Sequence, residues 1–325
     1  MADHADDFFD GDIFIYRGGR APQHVTHVLI DKSVDVEIED WAFDSRENLV
    51  QVETHNSIRK IGIYAFCGCI SLPKINLKSV VEIEKYAFCR CVNLESIEFG
   101  DRSVSIGNCA FRECSSLEHL KLPSIINIGH YAFSDCERLT DVELSERLEI
   151  IGPNAFKRCE CLQRIAVPLK RDLFAFDDFF EKYNQFDKCE QLTKVDLVGG
   201  IGKTVASLHM ESWRTEMNEK INRINQVLPN TLAKEKTEEI RQWMEMVLYK
   251  MDRFKVQHCR YVKEGITLLE LALWKAKLGE QEEYAEEGQR KKKAKVDAEC
   301  SRKDKRITCG ADIVIKNVLP FLQLE

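Results

Sequence analysis

Seven phenylalanines divide half of this chain into near-equal lengths. Phe43, Phe66, Phe88, Phe111, Phe133 and Phe156 follow one another at 23, 22, 23, 22 and 23 residues, and Phe186 comes after 30, so the last unit carries an insertion. Alanine precedes each of the first six. Cysteine stands three residues after the phenylalanine at Cys69, Cys91, Cys114, Cys136, Cys159 and Cys189, with Arg46 taking that place in the first unit. Leucine stands six residues after it without a break, from Leu49 to Leu192, and isoleucine stands five before it in the first six units. Glycine follows that isoleucine at Gly62, Gly107, Gly129 and Gly152. A fixed period in this range restricts a chain to a stacked, open-ended solenoid, in which each coil buries its apolar face only against its neighbours.

Each unit closes on an apolar pair at alternate positions, such as Ile75 and Leu77 or Val195 and Leu197. Alternation puts both side chains on one side of a short strand. Stacked coils then set these strands about 4.8 Å apart, which predicts one parallel β-sheet along the concave side. The phenylalanine fills the wider, opposite part of the coil. The cysteine falls in the turn, where a small buried thiol can donate weakly to loop carbonyls. Units such as Ile61-Gly62-Ile63-Tyr64-Ala65-Phe66-Cys67-Gly68-Cys69-Ile70-Ser71-Leu72-Pro73-Lys74-Ile75-Asn76-Leu77 resemble the BspA-like class of leucine-rich repeats. That resemblance implies a curved binding scaffold with no chemistry of its own, and its bacterial and protist relatives include surface adhesion proteins that carry export signals.

At 325 residues the chain has room for two structural units. A net charge of -7 argues against electrostatic attraction of the whole protein to nucleic acid or an anionic membrane. Nowhere do 18 uncharged apolar residues run together, so no membrane-inserting helix is expected. The start, Met1 to Asp10, is acidic where a signal peptide is basic and then apolar, which points to the cytoplasm or nucleus. The 13 cysteines are odd in number and mostly repeat-phased, which fits reduced thiols better than a disulfide framework. The pairs Cys67 and Cys69, Cys89 and Cys91, and Cys159 and Cys161 lack a histidine pair or a Cys-x-x-Cys knuckle. They read as packed turn cysteines, with no metal or cofactor expected.

Taken in order, residues 1–12 form an acidic tail and 13–37 a unit that caps the exposed end of the stack. The repeat domain spans 38–203, with the insertion at 170–185. Phe174, Phe176, Phe179 and Phe180 in the insertion read as packed beneath a loop, a docking segment being the alternative. The outward strand positions form the candidate binding face: Lys74 and Asn76, Ser96 and Glu98, His119 and Lys121, Asp141 and Glu143, Arg164 and Ala166, Lys194 and Asp196. Their mixed signs leave two readings, a solvated face or a partner-binding one, and a protein or peptide suits them better than a phosphate chain. His119 has no nucleophile or carboxylate phased beside it and reads as an exposed polar residue.

Val195 to Thr204 imitates a strand entering a phosphate-binding loop, with Lys203 and Thr204 as the functional pair. Leu197 stands where that motif needs its first glycine, and the strands that should flank such a loop do not follow. The competing reading is a glycine turn that releases the chain from its last coil.

Beyond it the apolar period becomes helical. Met210, Trp213, Met217, Ile221, Ile224 and Leu228, and then Ile240, Trp243, Val247, Met251, Phe254 and His258, mark two amphipathic helices. They are joined at Pro229-Asn230 as antiparallel neighbours. A third run, Ile266 to Leu278, is apolar on several sides. Residues 204–279 are therefore expected to form a helical bundle or hairpin, either as an end cap or as a coiled-coil surface for a homodimer. Residues 280–306 are a charged helix or linker, and Arg290, Lys291, Lys292, Lys293 and Lys295 resemble a nuclear import signal. No aromatic residues interleave with those lysines, so nucleic acid is not the expected partner. The tail, 307–325, is expected to dock back on the body.

The sequence thus describes a non-enzymatic scaffold that binds a protein or peptide on its repeat surface. A nucleotide-dependent switch at 197–204 and an adhesion-type protein remain as alternatives.

Overall fold

The structure, a computed structural model, describes residues 9–10, 13–179, 182–208 and 210–288. It divides into two units, Met1–Met251 and Asp252–Glu325.

The first unit is a parallel solenoid. Its main ladder takes in Ile13–Tyr16, His27–Ile30, Gln51–Glu53, Lys74–Leu77, Ser96–Phe99, His119–Lys121, Asp141–Glu143, Arg164–Pro168 and Lys194–Val198, paired in three hydrogen-bonded stretches. The apolar pair of each coil points inward, as the alternation predicts: Ile75 and Leu77, and Leu120 and Leu122, are buried. The expected single sheet is only part of the architecture. Glu37–Ile38, Lys60–Ile61, Glu82–Ile83, Val104–Ile106, Ile125–Ile128 and Ile150–Ile151 build a second, six-stranded parallel ladder. The isoleucine five residues before each phenylalanine lies in register through it, from Ile38 to Ile151. The insertion extends this ladder, because Phe174 bridges Ile151.

Between the ladders the phenylalanines form one continuous stack. Ring centroids from Phe43 to Phe186 step by 4.9, 5.1, 5.1, 5.3, 5.5 and 5.8 Å, with every ring fully buried. Each phased cysteine then ties its coil to the one before. The Sγ of Cys69, Cys91, Cys114, Cys136, Cys159 and Cys189 donates to the carbonyl of the preceding coil's phenylalanine, at 2.9–3.3 Å. Arg46 does the same in the first coil, where its Nε donates to the Ala21 carbonyl at 2.8 Å. Ala21 stands 22 residues before Phe43, at the phenylalanine position, and the ring of Tyr16 takes over the stacking at 4.8 Å from Phe43.

Coils also lock through turns that the sequence does not advertise. The residue two after the phenylalanine has φ of 59–63° in Ser45, Arg90, Glu113, Asp135, Arg158 and Lys188, and 70° in Gly68. A left-handed conformation is costly for non-glycine residues. It persists because the N–H donates to the following coil: Ser45 to Cys67 at 2.7 Å, Arg90 to Arg112 at 2.8 Å, Arg158 to Asp187 at 2.9 Å. The glycines after the isoleucine answer a different need, since a Cβ on Gly129 would lie 2.6 Å from the Gly107 carbonyl carbon.

Both ends of the stack are closed. Phe9–Asp10 pairs antiparallel with the first strand. At the other end come helices α1 (Ile201–Ala206), α2 (Glu211–Asn222), α3 (Ile224–Val227) and α4 (Lys236–Gly288). Asn225 Oδ1 accepts the Val195 N–H at 2.8 Å, covering the edge strand. Thr237 Oγ1 accepts the Phe186 N–H at 3.0 Å, where every earlier coil uses the next coil's carbonyl. Lys236, only 2% exposed, donates its Nζ to the carbonyls of Cys189, Glu190 and Leu192 at 3.1, 2.6 and 2.7 Å. Burial draws this ammonium below the usual lysine pKa. Two residues of a helix therefore replace the missing eighth coil. Within this unit α2 and α4 are antiparallel: Trp243 Nε1 donates to the Lys220 carbonyl at 2.9 Å, and Lys250 pairs with Glu216 at 2.5 Å.

Two helical expectations are corrected. Met210 is 42% exposed rather than part of the buried stripe. The run 266–278 is no third helix packed into a bundle, because Lys236–Gly288 is a single helix of 53 residues with no turn in it. Its alanine, leucine, glutamate and lysine content favours continuation, and no proline breaks it. The second unit, as described, is the remainder of this helix. The basic run Arg290–Lys295 and the tail 307–325 lie outside the described residues.

Candidate functional site

The main ladder turns its polar alternates outward, and strand pairing sorts the candidate residues into two rows. One row brings Lys74 beside Ser96, and His119, Asp141, Arg164 and Lys194 into consecutive register. The other brings Asn76 beside Glu98, and Lys121, Glu143, Ala166 and Asp196 into register. Lys74, Asn76, Glu98, His119, Lys121, Glu143 and Lys194 are exposed, while Asp141, Arg164 and Asp196 are half-buried. Ala166 departs from expectation, being buried although it shares this face.

Arg164 organises the C-terminal half of the face. Its Nη1 lies 2.9 and 3.2 Å from the two oxygens of Asp141, and its Nε 2.6 Å from Asp196. The bond from Asp196, followed by the field of Asp141, holds the guanidinium pKa above its ordinary value. Such bridging by a planar fork fixes both carboxylates across three strands. Lys194 also approaches Asp196, at 3.6 Å. In the N-terminal half, Lys78 sits 2.7 Å from Glu98 and lowers that carboxyl's pKa. His119 Nδ1 lies 3.3 Å from Thr140 Oγ1, and Asp141 stands beside His119 in register, a carboxylate where none was expected. Next to Arg164 the face dips into a depression of about 540 Å³, rimmed by Lys121, Glu143, Glu146 and Asp196. This arrangement offers paired and single charges to a complementary surface.

The glycine loop borders the same depression. Lys194–Val198 belongs to the solenoid ladder, and the following α1 has six residues. Gly199 has a φ of 96°, and a Cβ there would lie 2.9 Å from the Glu146 carboxyl carbon. The Thr204 hydroxyl donates to the Gly200 carbonyl at 3.2 Å, and Lys203 is exposed. A carboxylate thus lies against the loop where a phosphate cradle would need positive potential.

The phenylalanines of the insertion divide. Phe174 is buried, edge-on to Phe186 at 5.8 Å. Phe176 and Phe179 are 45% and 85% exposed, contrary to the expectation that all of them pack beneath a loop, and Phe180 lies outside the described residues. Sequence reasoning also missed a half-exposed stack two residues before the phenylalanines, where Trp41, Tyr64 and Tyr86 lie 4.1 and 4.6 Å apart. Their phase in the repeat was the available signal. Among the described residues, no three His, Cys, Asp or Glu side chains gather as a metal site, and no helix is long and apolar enough to cross a membrane.

The family described as BspA type leucine rich repeat region matches residues 36–163 and 81–198, with 6 copies. Among solved structures, the chain is similar to a leucine rich repeat protein of T. pallidum, at 28% identity over 61% of this chain and 88% of that one, with a TM-score of 0.47. It is also similar to a leucine-rich repeat protein of Bacteroides ovatus, at 21% identity over 54% of this chain and 49% of the other, TM-score 0.41. A leucine rich cell surface protein of Faecalibacterium prausnitzii aligns at 20% identity over 54% of this chain and 60% of its own, TM-score 0.35. No curated protein matches.

Proposed function

Because the chain belongs to the BspA-type leucine-rich repeat family, we propose that it is a non-enzymatic scaffold whose strand face binds a protein or peptide partner. The observation that carries this reading is the pair of outward rows, with Arg164 clamping Asp141 and Asp196 beside a depression rimmed by exposed charges. Backbone pairing fixes Asp141, Arg164 and Asp196 at their roots, so little order has to be gained there on binding. The mixed signs favour a partner chosen by charge complementarity, which acts on specificity and association rate.

A photoreactive residue placed at His119 in the full chain, in its own cells, identifies what lies on this face. The control is the same probe at Lys85, exposed in a turn beyond the short ladder. The expected result is one partner captured from position 119 and not from 85. Its affinity for the purified chain should fall at least ~10-fold in Glu143→Lys, on the order of 1.4 kcal/mol, with circular dichroism unchanged. Capture from Lys85 instead, or affinity indifferent to Glu143→Lys, contradicts the proposal.

A further inference from the structure

The second unit presents a helix whose apolar side chains point in every direction. Leu268, Leu269, Leu271 and Trp274 are 68%, 43%, 60% and 70% exposed, and at 100° per residue they fall on different sides of the helix. A helix apolar all round is normally a covered one. Residues 289–325 lie outside the described ones, and their sequence mirrors that of the helix in reverse. Going outward from the apolar stretch 261–278, the helix carries Glu280, Glu282, Glu283, Glu286 and Glu287 with no lysine or arginine between. Next come nine basic residues between Arg290 and Arg306 against three acidic ones, and then Ile313, Val314, Ile315, Val318, Leu319, Phe321 and Leu322. The order is apolar, acidic, basic, apolar.

We propose that this tail folds back antiparallel along the helix, its basic stretch beside the acidic end and residues 313–322 over the apolar stretch 261–278. Reach allows it. From Gly288 back to Leu268 is 20 helical residues, about 30 Å at 1.5 Å each. The 22 residues from 289 to 310 span up to about 70 Å when extended. Charge selects the same direction, because a parallel arrangement would set the apolar tail against the glutamates. A second copy of the helix answers the charges less well. Aligned antiparallel on the Ile266–Leu273 seam, it sets the glutamates of 280–287 opposite residues 252–259, whose lysine and arginine number two, Arg253 and Lys255, against nine in the tail.

The test uses the full chain with p-benzoylphenylalanine at Phe321, and separately at Leu319, irradiated in an equal mixture of unlabelled and nitrogen-15-labelled protein. Links from both positions should fall on residues 261–278, with peptides of one isotope exceeding mixed pairs at least tenfold. Predominantly mixed pairs would identify a second copy as the occupant and overturn the proposal. So would links confined to residues 13–251, or no links at all.

Discussion

Raising the pH from 9 to about 10.5 should unfold this protein. The cause is the column of thiols between the coils. Burial pushes the Cys69 thiol up to about 12, and drives Cys91, Cys114, Cys136 and Cys159 well above an ordinary cysteine. In the unfolded chain each loses its proton near pH 8.5. A group whose folded pKa is raised contributes stability that is complete below its unfolded pKa and is lost as pH climbs towards the folded one. The window therefore opens near 8.5 and extends to about 12 for Cys69. Within it each thiol that stays protonated in the fold costs about 1.4 kcal/mol per pH unit, and the five act in the same direction against a stability of about 5–15 kcal/mol for an ordinary domain. Circular dichroism against pH measures it. In Cys114→Ser/Cys136→Ser, where hydroxyls can keep the donor role without titrating, the midpoint moves upward. A chain still folded at pH 11, or a midpoint unmoved in the double variant, contradicts this role for the thiols.

Phe111→Ala cuts the ring stack at its centre. Phe111 has Phe88 at 5.1 Å on one side, Phe133 at 5.3 Å on the other, and Phe99 edge-on at 6.4 Å. Truncating a fully buried phenylalanine costs about 3–5 kcal/mol, from lost transfer energy plus the cavity left behind. The upper half of that range applies, because the neighbouring coils are held by the Cys136 bond to the Phe111 carbonyl and cannot collapse inward. A solenoid transmits stability only between neighbours, so the variant should also unfold less cooperatively. In urea the transition should broaden, or split into two. A loss below ~1 kcal/mol with an unchanged slope would show that the rings do not couple the coils.

The repeat was legible because its strongest markers are interior: a phenylalanine and a leucine held in phase over seven coils, and an isoleucine over six, leave no other stacking. The outward rows followed from alternation alone, and pairing then placed Asp141, Arg164 and Lys194 side by side. What stayed hidden has physical reasons. The second ladder gives most coils only two or three residues, too few for a period to show. The left-handed turns are filled by serine, arginine, glutamate, aspartate and lysine in place of glycine, since the next coil's carbonyl holds them. Lys236 and Thr237 look like an ordinary helix start, and only tertiary structure shows them completing the last coil. The long helix was misjudged because an all-round apolar run suggests enclosure by neighbours, whereas the chain continues straight through it.

Amide hydrogen exchange on the intact protein tests most directly the claim that each coil is completed by the next. The turn amides of Phe43, Phe66, Phe88, Phe111, Phe133, Phe156 and Phe186 should all exchange slowly, in step with the repeat, and Thr237→Val should release Phe186 first. Rapid exchange at Phe88, Phe111 and Phe133 beside a protected α4 would contradict the account.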